Sequence, residues 1–168
     1  HVNDRLRLLR NHGLRNRDEI EILGHNSRLD SIQAIVGNWL IGQVREITEQ
    51  RIANAEYYDK GLADLHPRLR LLYRRPNARR VYHLYIVQVD RRDELLSFLL
   101  EHGVEAKVHY PIPLPLQKAL SHLGYRPGNF PHTERQARDT ITFPVDQHLS
   151  RQEMDQVLDL LHEFYRTH

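Results

Sequence analysis

Gly24-His25-Asn26-Ser27-Arg28-Leu29-Asp30 is a polar turn, and the segment that leaves it, running to about Leu65, is the longest periodic stretch of the 168 residues. Apolar positions Leu29, Ile32, Val36, Trp39 or Leu40, Val44 and Ile47 advance by three and four, which puts side chains on one face of an α-helix. From Ile47 to Ile52 the step is five, and Ala55, Tyr58, Leu62 and Leu65 then resume the rhythm. The buried face is expected to rotate there, or the helix to bend. About 35 residues at 1.5 Å each reach roughly 50 Å, so this helix is expected to bridge two lobes or two subunits. Gly37 and Gly42 lie inside it at a cost of about 1 kcal/mol each relative to alanine. A close backbone approach or a kink would account for them.

Upstream, Leu6 and Leu9 form a short helical stripe that Asn3 or Asp4 can cap, and Asn11-His12-Gly13 stops it. A short helix at this position reads as the end of a preceding element. Residues 14–23 are a charged connection with little pattern.

Downstream, His66-Pro67 ends the long helix, because proline disfavours helical geometry in the residue before it. A basic loop leads to a strand over Val81 to Val89, rich in β-branched and aromatic residues. Asp90 is expected to cap a helix to His102, followed by a short strand over Val104 to Val108. The proline-stiffened run His109 to Pro115 precedes a helical turn or two up to Leu123. A helix from about His132 to Asp139 and a third strand, Thr140 to Phe143, come next. Ser150 and Glu153 make a capping box ahead of a helix with Met154, Val157, Leu158, Leu161 and Phe164 on one face. The expected fold class is α/β (an α+β small lobe): a long N-terminal helix, then a small sheet with helices on one face.

The hydrophobic share of 40% and charged share of 27% belong to an ordinary folded chain, long enough to bury a core. No cysteine is present, so a disulfide framework and a cysteine-ligated metal are ruled out, which fits a reducing cytoplasm. No apolar run approaches membrane-spanning length, and no export leader is legible. Net charge is +2, yet arginines gather between Arg5 and Arg17 and again between Arg68 and Arg80. Such stripes either neutralise phosphates or form solvated faces. A nucleic-acid reading finds no helix-turn-helix, ribonucleoprotein strand or basic zipper to support it.

Twelve histidines invite a metal, but no pair has the spacing of a zinc hydrolase, and metal binding is not expected. No nucleophile elbow or lysine-bearing phosphate loop appears either. The opening turn is more specific. Asn26 and Ser27 are read as preceding a helix whose free N–H groups attract anions, with Arg28 offering a planar fork of donors. The plainer alternative has Asn26 or Ser27 capping the helix while Arg28 pairs with Asp30.

Several separated motifs together carry a resemblance. Arg10-Asn11-His12-Gly13, Gly24 to Ala34, Tyr82-His83-Leu84-Tyr85, Gly103-Val104-Glu105, His109-Tyr110-Pro111-Ile112-Pro113-Leu114 and Phe143-Pro144-Val145 occur in an order that resembles the DegT/DnrJ/EryC1/StrS aminotransferases. The resemblance implies the C-terminal domain of a fold type I, pyridoxal 5'-phosphate-dependent enzyme. Such an enzyme moves an amino group, usually from glutamate, onto a nucleotide-linked keto-sugar, and works as a homodimer. It further implies that Asn26, and less firmly Arg28, face the cofactor phosphate of a neighbouring subunit, and that His109 and Tyr110 lie near the sugar nucleotide. His12 belongs to a family motif whose role is left open. Residues 1–65 are then the tail of a large lobe plus a dimer-spanning helix, and residues 66–168 a small α/β domain.

The departures are equally specific. The three lysines, Lys60, Lys107 and Lys118, all stand outside the family's lysine motif, so no catalytic residue is assigned in this chain. Pro115 occupies a place where the family often has a second histidine. Alone, the chain is expected not to transaminate, and to associate as a homo-oligomer or with a large-lobe partner chain. The competing readings are a non-catalytic dimerisation or interaction module and, behind it, a nucleic-acid-binding domain.

Overall fold

The computed structural model describes residues 1–167. By contact density they form two compact units, residues 1–44 and the remainder from Arg45.

The first unit begins with α1, Val2–Leu9, which has no buried residue. His1 stands at its N-cap, so Asn3 and Asp4 lie within the first turn and not at the cap. Residues 11–26, read as little more than a connection, fold back on themselves through isolated antiparallel bridges between Asn11 and Asn26 and between Leu14 and Ile20. Next comes α2, Ser31–Ile41. The expected continuous helix is interrupted at Gly42-Gln43, and α3, Val44–Gly61, starts anew. The break therefore falls at Gly42 and not at Ile47–Ile52, where α3 is continuous. A glycine at the C-cap of α2 ends it at little cost, whereas the five-residue step only rotates the buried face. A Cβ on Gly37 or Gly42 would meet nothing within 4 Å, so no close approach among the described residues explains either glycine.

The second unit is built on a three-stranded antiparallel sheet, β1 (Leu69–Leu71), β2 (Tyr85–Val89) and β3 (Thr140–Phe143), in the order β1-β2-β3. β1 was hidden in the basic loop because three residues flanked by arginines carry too little pattern. Leu69 pairs with Val89, and Tyr85 with Phe143. The expected strand over Val81–Val89 begins only at Tyr85: Tyr82 has φ +47, and Arg51 binds the carbonyls of Tyr82 and His83. The expected strand over Val104–Val108 reduces to one bridge between Lys107 and Thr142. Leu114–Leu116 and Lys118–Leu123 are 3-10 turns.

Helix α4, Arg92–Glu101, has Arg91 in the left-handed region at its N-cap, displacing the expected Asp90. Asp90 instead pairs with Arg70. Helices α5, Pro131–Asp139, and α6, Arg151–Thr167, fall where the sequence places them. Ser150 N donates to Glu153 at 2.7 Å while Glu153 N donates to the Ser150 hydroxyl at 3.2 Å, the reciprocal capping box.

The core gathers α3, α4 and α6 on one face of the sheet. Tyr58, Leu62, Leu95, Leu99, Leu161 and Phe164 pack with Tyr85, Val87, Ile141 and Phe143, all nearly inaccessible. Strand alternation sends Ile86, Gln88, Thr140 and Thr142 to the opposite face. That second face is where the loop from His109 and helix α5 border a recess.

Candidate functional site

The turn that carries Asn26 is held by backbone. Gly13 has φ +75, and a Cβ there would fall 1.6 Å from the carbonyl oxygen of Ile22; one on Gly24 would fall 2.3 Å from the nitrogen of Gly13. Only two glycines let these backbones touch. His12 N then donates to His25 O at 2.9 Å, His25 N to Leu9 O at 2.7 Å, and Ser27 N to Arg10 O at 2.8 Å. His12 thus enters through its main chain. Asn26 is fixed opposite Asn11, and Arg28 joins them: its Nε donates to Asn26 Oδ1 at 3.0 Å and its Nη1 to Asn11 Oδ1 at 3.2 Å. Because Arg28 occupies the carbonyl end of the Asn26 amide, the two Nδ2 hydrogens remain for an outside acceptor. A recess of about 450 Å³ lies here, lined by residues 26–30 and Gln33.

Asn26 and Ser27 do not directly precede the helix, which starts at Ser31 with Asp30 as its cap: Gln33 N donates to Asp30 Oδ1 at 2.9 Å, and Asp30 N to the Gln33 side chain at 3.4 Å. The free N–H groups of α2 thereby face an internal carboxylate, which serves the dipole and opposes an incoming anion. The plainer alternative fails too, since neither Asn26 nor Ser27 caps the helix and Arg28 turns to Asn26 and Asn11. What remains for an anion is the amide and the guanidinium.

His109 and Tyr110 belong to the second unit. Lys107 N donates to Thr142 O at 3.1 Å and Thr142 N to Lys107 O at 2.8 Å, tying the segment before His109 to β3. His109 Nδ1 lies 3.0 Å from Thr142 Oγ1. The exposed Tyr110 ring meets the imidazole edge-on at 5.5 Å. His109 borders two recesses. One, about 430 Å³, has Ile86, Gln88, Tyr110, Gln117 and Gln136 in its walls; the other, about 290 Å³, has Arg51, His83, Glu105, Lys107 and Asp146. Lys107 sits 2.7 Å from Glu105 and holds that carboxyl below the usual carboxylate range. Pro115, inside a 3-10 turn, offers no donor where the family often has histidine.

Sequence reasoning missed the polar clamps that shape this second site. Arg51, on α3, donates through Nη1 to Tyr82 O at 3.1 Å and His83 O at 3.4 Å, and through Nε to Gln147 at 3.1 Å. Asn54, only 2% exposed, donates to Asp146 O at 2.8 Å. Their signal was present: polar residues at 51 and 54 share the inward helical face with Ala55 and Tyr58. Buried polar groups need partners, and here the partners are the irregular segments beside His109.

The second arginine cluster is largely engaged within the fold. Arg68 binds Tyr165 O, Arg70 pairs with Asp90, Arg74 with Asp59, Arg79 with Glu49, and Arg80 binds Tyr73 O. Guanidinium groups committed in this way do not form the free stripe that phosphate neutralisation needs. Among the described residues no group of three or more histidine or acidic side chains is disposed to hold a metal ion. No helix among them is long and apolar enough to cross a membrane.

Comparison with known proteins bears on both sites. The sequence pattern of the DegT/DnrJ/EryC1/StrS aminotransferase family matches residues 1–162. The chain is 37% identical over 161 residues to the dTDP-3-amino-3,4,6-trideoxy-alpha-D-glucose transaminase of Streptomyces venezuelae, a match covering 96% of this chain and 42% of that protein. It is 33% identical over 164 residues to a pleiotropic regulatory protein of Geobacillus stearothermophilus, with 97% and 44% covered. Among solved structures, S. venezuelae DesV matches with a TM-score of 0.92 at 36% identity, over 97% of this chain and 44% of its own. A DegT DnrJ EryC1 StrS aminotransferase from Brucella abortus matches with a TM-score of 0.88 at 26% identity, over 97% and 43%. The chain therefore spans less than half the length of these relatives. With a family match running from the first helix into the last, these residues belong to the DegT/DnrJ/EryC1/StrS aminotransferase family.

Proposed function

We propose that these residues are the C-terminal part of a pyridoxal-phosphate-dependent aminotransferase that moves an amino group from glutamate to a keto-sugar carried on a nucleotide. The observation that carries the reading is the Asn11–Arg28–Asn26 arrangement within the matched region, which leaves amide donors of Asn26 open to an anion. Pyridoxal phosphate has a phosphate end and an aldehyde end. Asn26 and Arg28 fit the first, because amide and guanidinium donors make strong hydrogen bonds to phosphate oxygens. For the second end this chain offers no candidate: Lys107 is paired with Glu105, and Lys60 and Lys118 are exposed, outside the family's lysine motif.

Bound, the cofactor supplies the electron sink of amino transfer. This chain contributes positioning. Asn26 holds the phosphate, Arg28 fixes the Asn26 amide and adds positive charge, and His109 with Tyr110 orients the nucleotide-linked sugar. In this reading residues 1–65 are the tail of a large lobe with the helices that reach a second subunit, residues 66–168 are the small domain, and the working assembly is a cytoplasmic homodimer. The apolar side chains of α2 support association. Ile32, Ile35 and Trp39, at steps of three and four on one helical face, are each more than two-thirds exposed.

That same face supports a second reading, a non-catalytic module that dimerises or docks through α2. The two are separated by the assembly that contains these residues together with a lobe carrying the lysine motif. There, Asn26→Ala should weaken retention of pyridoxal phosphate about tenfold, the worth of one charge-assisted hydrogen bond, with assembly unchanged. Cofactor absorbance after dialysis reads the first quantity and sedimentation the second. Unchanged retention removes the phosphate role of Asn26; an assembly that never takes up the cofactor favours the module.

A further inference from the structure

We infer that Thr142 is a positioning residue for His109, donating its hydroxyl proton to Nδ1 so that the imidazole presents Nε2–H to an oxygen acceptor of the substrate. The geometry is local and well defined. Thr142 is on β3, 6% exposed, with its backbone tied in both directions to Lys107. Its hydroxyl lies 3.0 Å from His109 Nδ1 and has no other side-chain or backbone partner among the described residues. His109 Nε2 likewise has no protein partner among them.

Hydrogen-bond satisfaction fixes the direction. A hydroxyl carries one donor and two acceptor lone pairs, and a buried donor without an acceptor costs about 1–3 kcal/mol. If Nδ1 carried the proton, Thr142 would accept it and its own O–H would have no acceptor among the described residues, with only the recess it borders before it. If Thr142 donates, its hydroxyl proton has a protein acceptor at 3.0 Å and its lone pairs stay free for the recess. The tautomer of a neutral imidazole is set by the bond its other nitrogen makes, so a donating Thr142 places the ring proton on Nε2. Competing groups in the adjoining recess are already committed: Arg51 to Tyr82 O, His83 O and Gln147, and Lys107 to Glu105. The outward N–H then suits a phosphoryl or hydroxyl oxygen, and it rejects a donor at the same place.

The use made of this N–H rests on the aminotransferase reading; the tautomer does not, and its measurement needs neither cofactor nor substrate. Failure of one is therefore distinguishable from failure of the other. Long-range proton–nitrogen NMR correlation on the ¹⁵N-labelled chain, at a pH where the ring is neutral, identifies the His109 ring by its disappearance in His109→Gln. The expected pattern is a pyridine-like Nδ1 and a pyrrole-like Nε2. Thr142→Val, which keeps the shape and removes the hydroxyl, should bring the two nitrogen shifts toward each other as the tautomers mix. Thr142→Ser should restore the parent pattern. A pyrrole-like Nδ1 in the parent overturns the assignment, as does a Thr142→Val protein that is folded and spectrally unchanged at His109. Should Thr142→Val fail to fold, the parent pattern and its retention in Thr142→Ser decide.

Discussion

At the scale of single residues, two neighbouring tyrosines show how one hydroxyl differs from another. Tyr85 donates to Asp59 at 2.8 Å, and Asp59 also pairs with Arg74, whose guanidinium lies 4.9 Å from the Tyr82 ring. Tyr58 packs 5.2 Å from Tyr85, yet its hydroxyl is buried without a partner among the described residues. Burial pushes both phenols well above their usual range, with the bond to Asp59 adding to the effect at Tyr85. Tyr85→Phe is expected to destabilise by about 1–2 kcal/mol, since it removes a bond to a charged acceptor, whereas Tyr58→Phe should be neutral or stabilising by up to about 1 kcal/mol. Urea unfolding of both variants tests the contrast; two losses of equal size would contradict it. Gly13→Ala belongs at the same scale. The left-handed backbone alone costs about 1–2 kcal/mol, and the Cβ clash with Ile22 O adds to it. The expected signature is faster amide exchange at His25 and Ser27, the donors that hold Asn26 in place.

Among the elements, α6 has the clearest signal in the sequence and is also the most faithfully realised. Its capping box was legible because both partners lie within four residues, and its stripe was legible because the apolar spacing is regular. Ser150→Ala is expected to cost about 1 kcal/mol at neutral pH. Hydrogen bonds from the Ser150 N–H and hydroxyl hold the Glu153 carboxyl below its usual range. A folded-state value depressed in this way gives a contribution present above the unfolded value, near 4.3, and lost as pH falls through the folded one. The gap between parent and Ser150→Ala, read by thermal melts, should therefore narrow as pH is lowered from 5 toward 3. It should not close, because Glu153 N also donates to the serine oxygen. Strand β1 and the loss of a strand over Val104–Val108 teach the reverse lesson. Strand identity depends on a partner, and three residues among arginines or five beside a helix end do not announce one.

On the scale of the whole molecule, the exposed apolar face of α2 is the feature that a closed fold would not leave. If α2 is the surface of the proposed association, replacing Ile35 and Trp39 together by glutamate should abolish the concentration-dependent association expected of the parent, measured by sedimentation at about 1–100 μM, while the second unit keeps its unfolding transition. Association that survives both substitutions would point to a different surface. The same scale bears on the arginines. As sequence, they read equally well as a phosphate-binding stripe or as solvated faces; five of those between Arg68 and Arg80 hold acidic side chains or carbonyls of the fold.

By itself, the sequence determined the helices whose stripes and caps are local, the third strand, the absence of cysteine chemistry, the family motifs and the four residues Asn26, Arg28, His109 and Tyr110 as those to inspect. All of these depend on neighbours a few positions away or on fixed motif order. Only the tertiary structure decided that α2 starts at Ser31 under an aspartate cap, that Arg28 turns from Asp30 to Asn26 and Asn11, and that Thr142 meets His109. The Asp30 cap is local, but Asn26 and Ser27 are rival capping residues that the sequence alone does not rank; the bonds of Arg28 to Asn11 and of Thr142 to His109 span 17 and 33 residues, and a hydrogen bond across that separation leaves no periodicity to read.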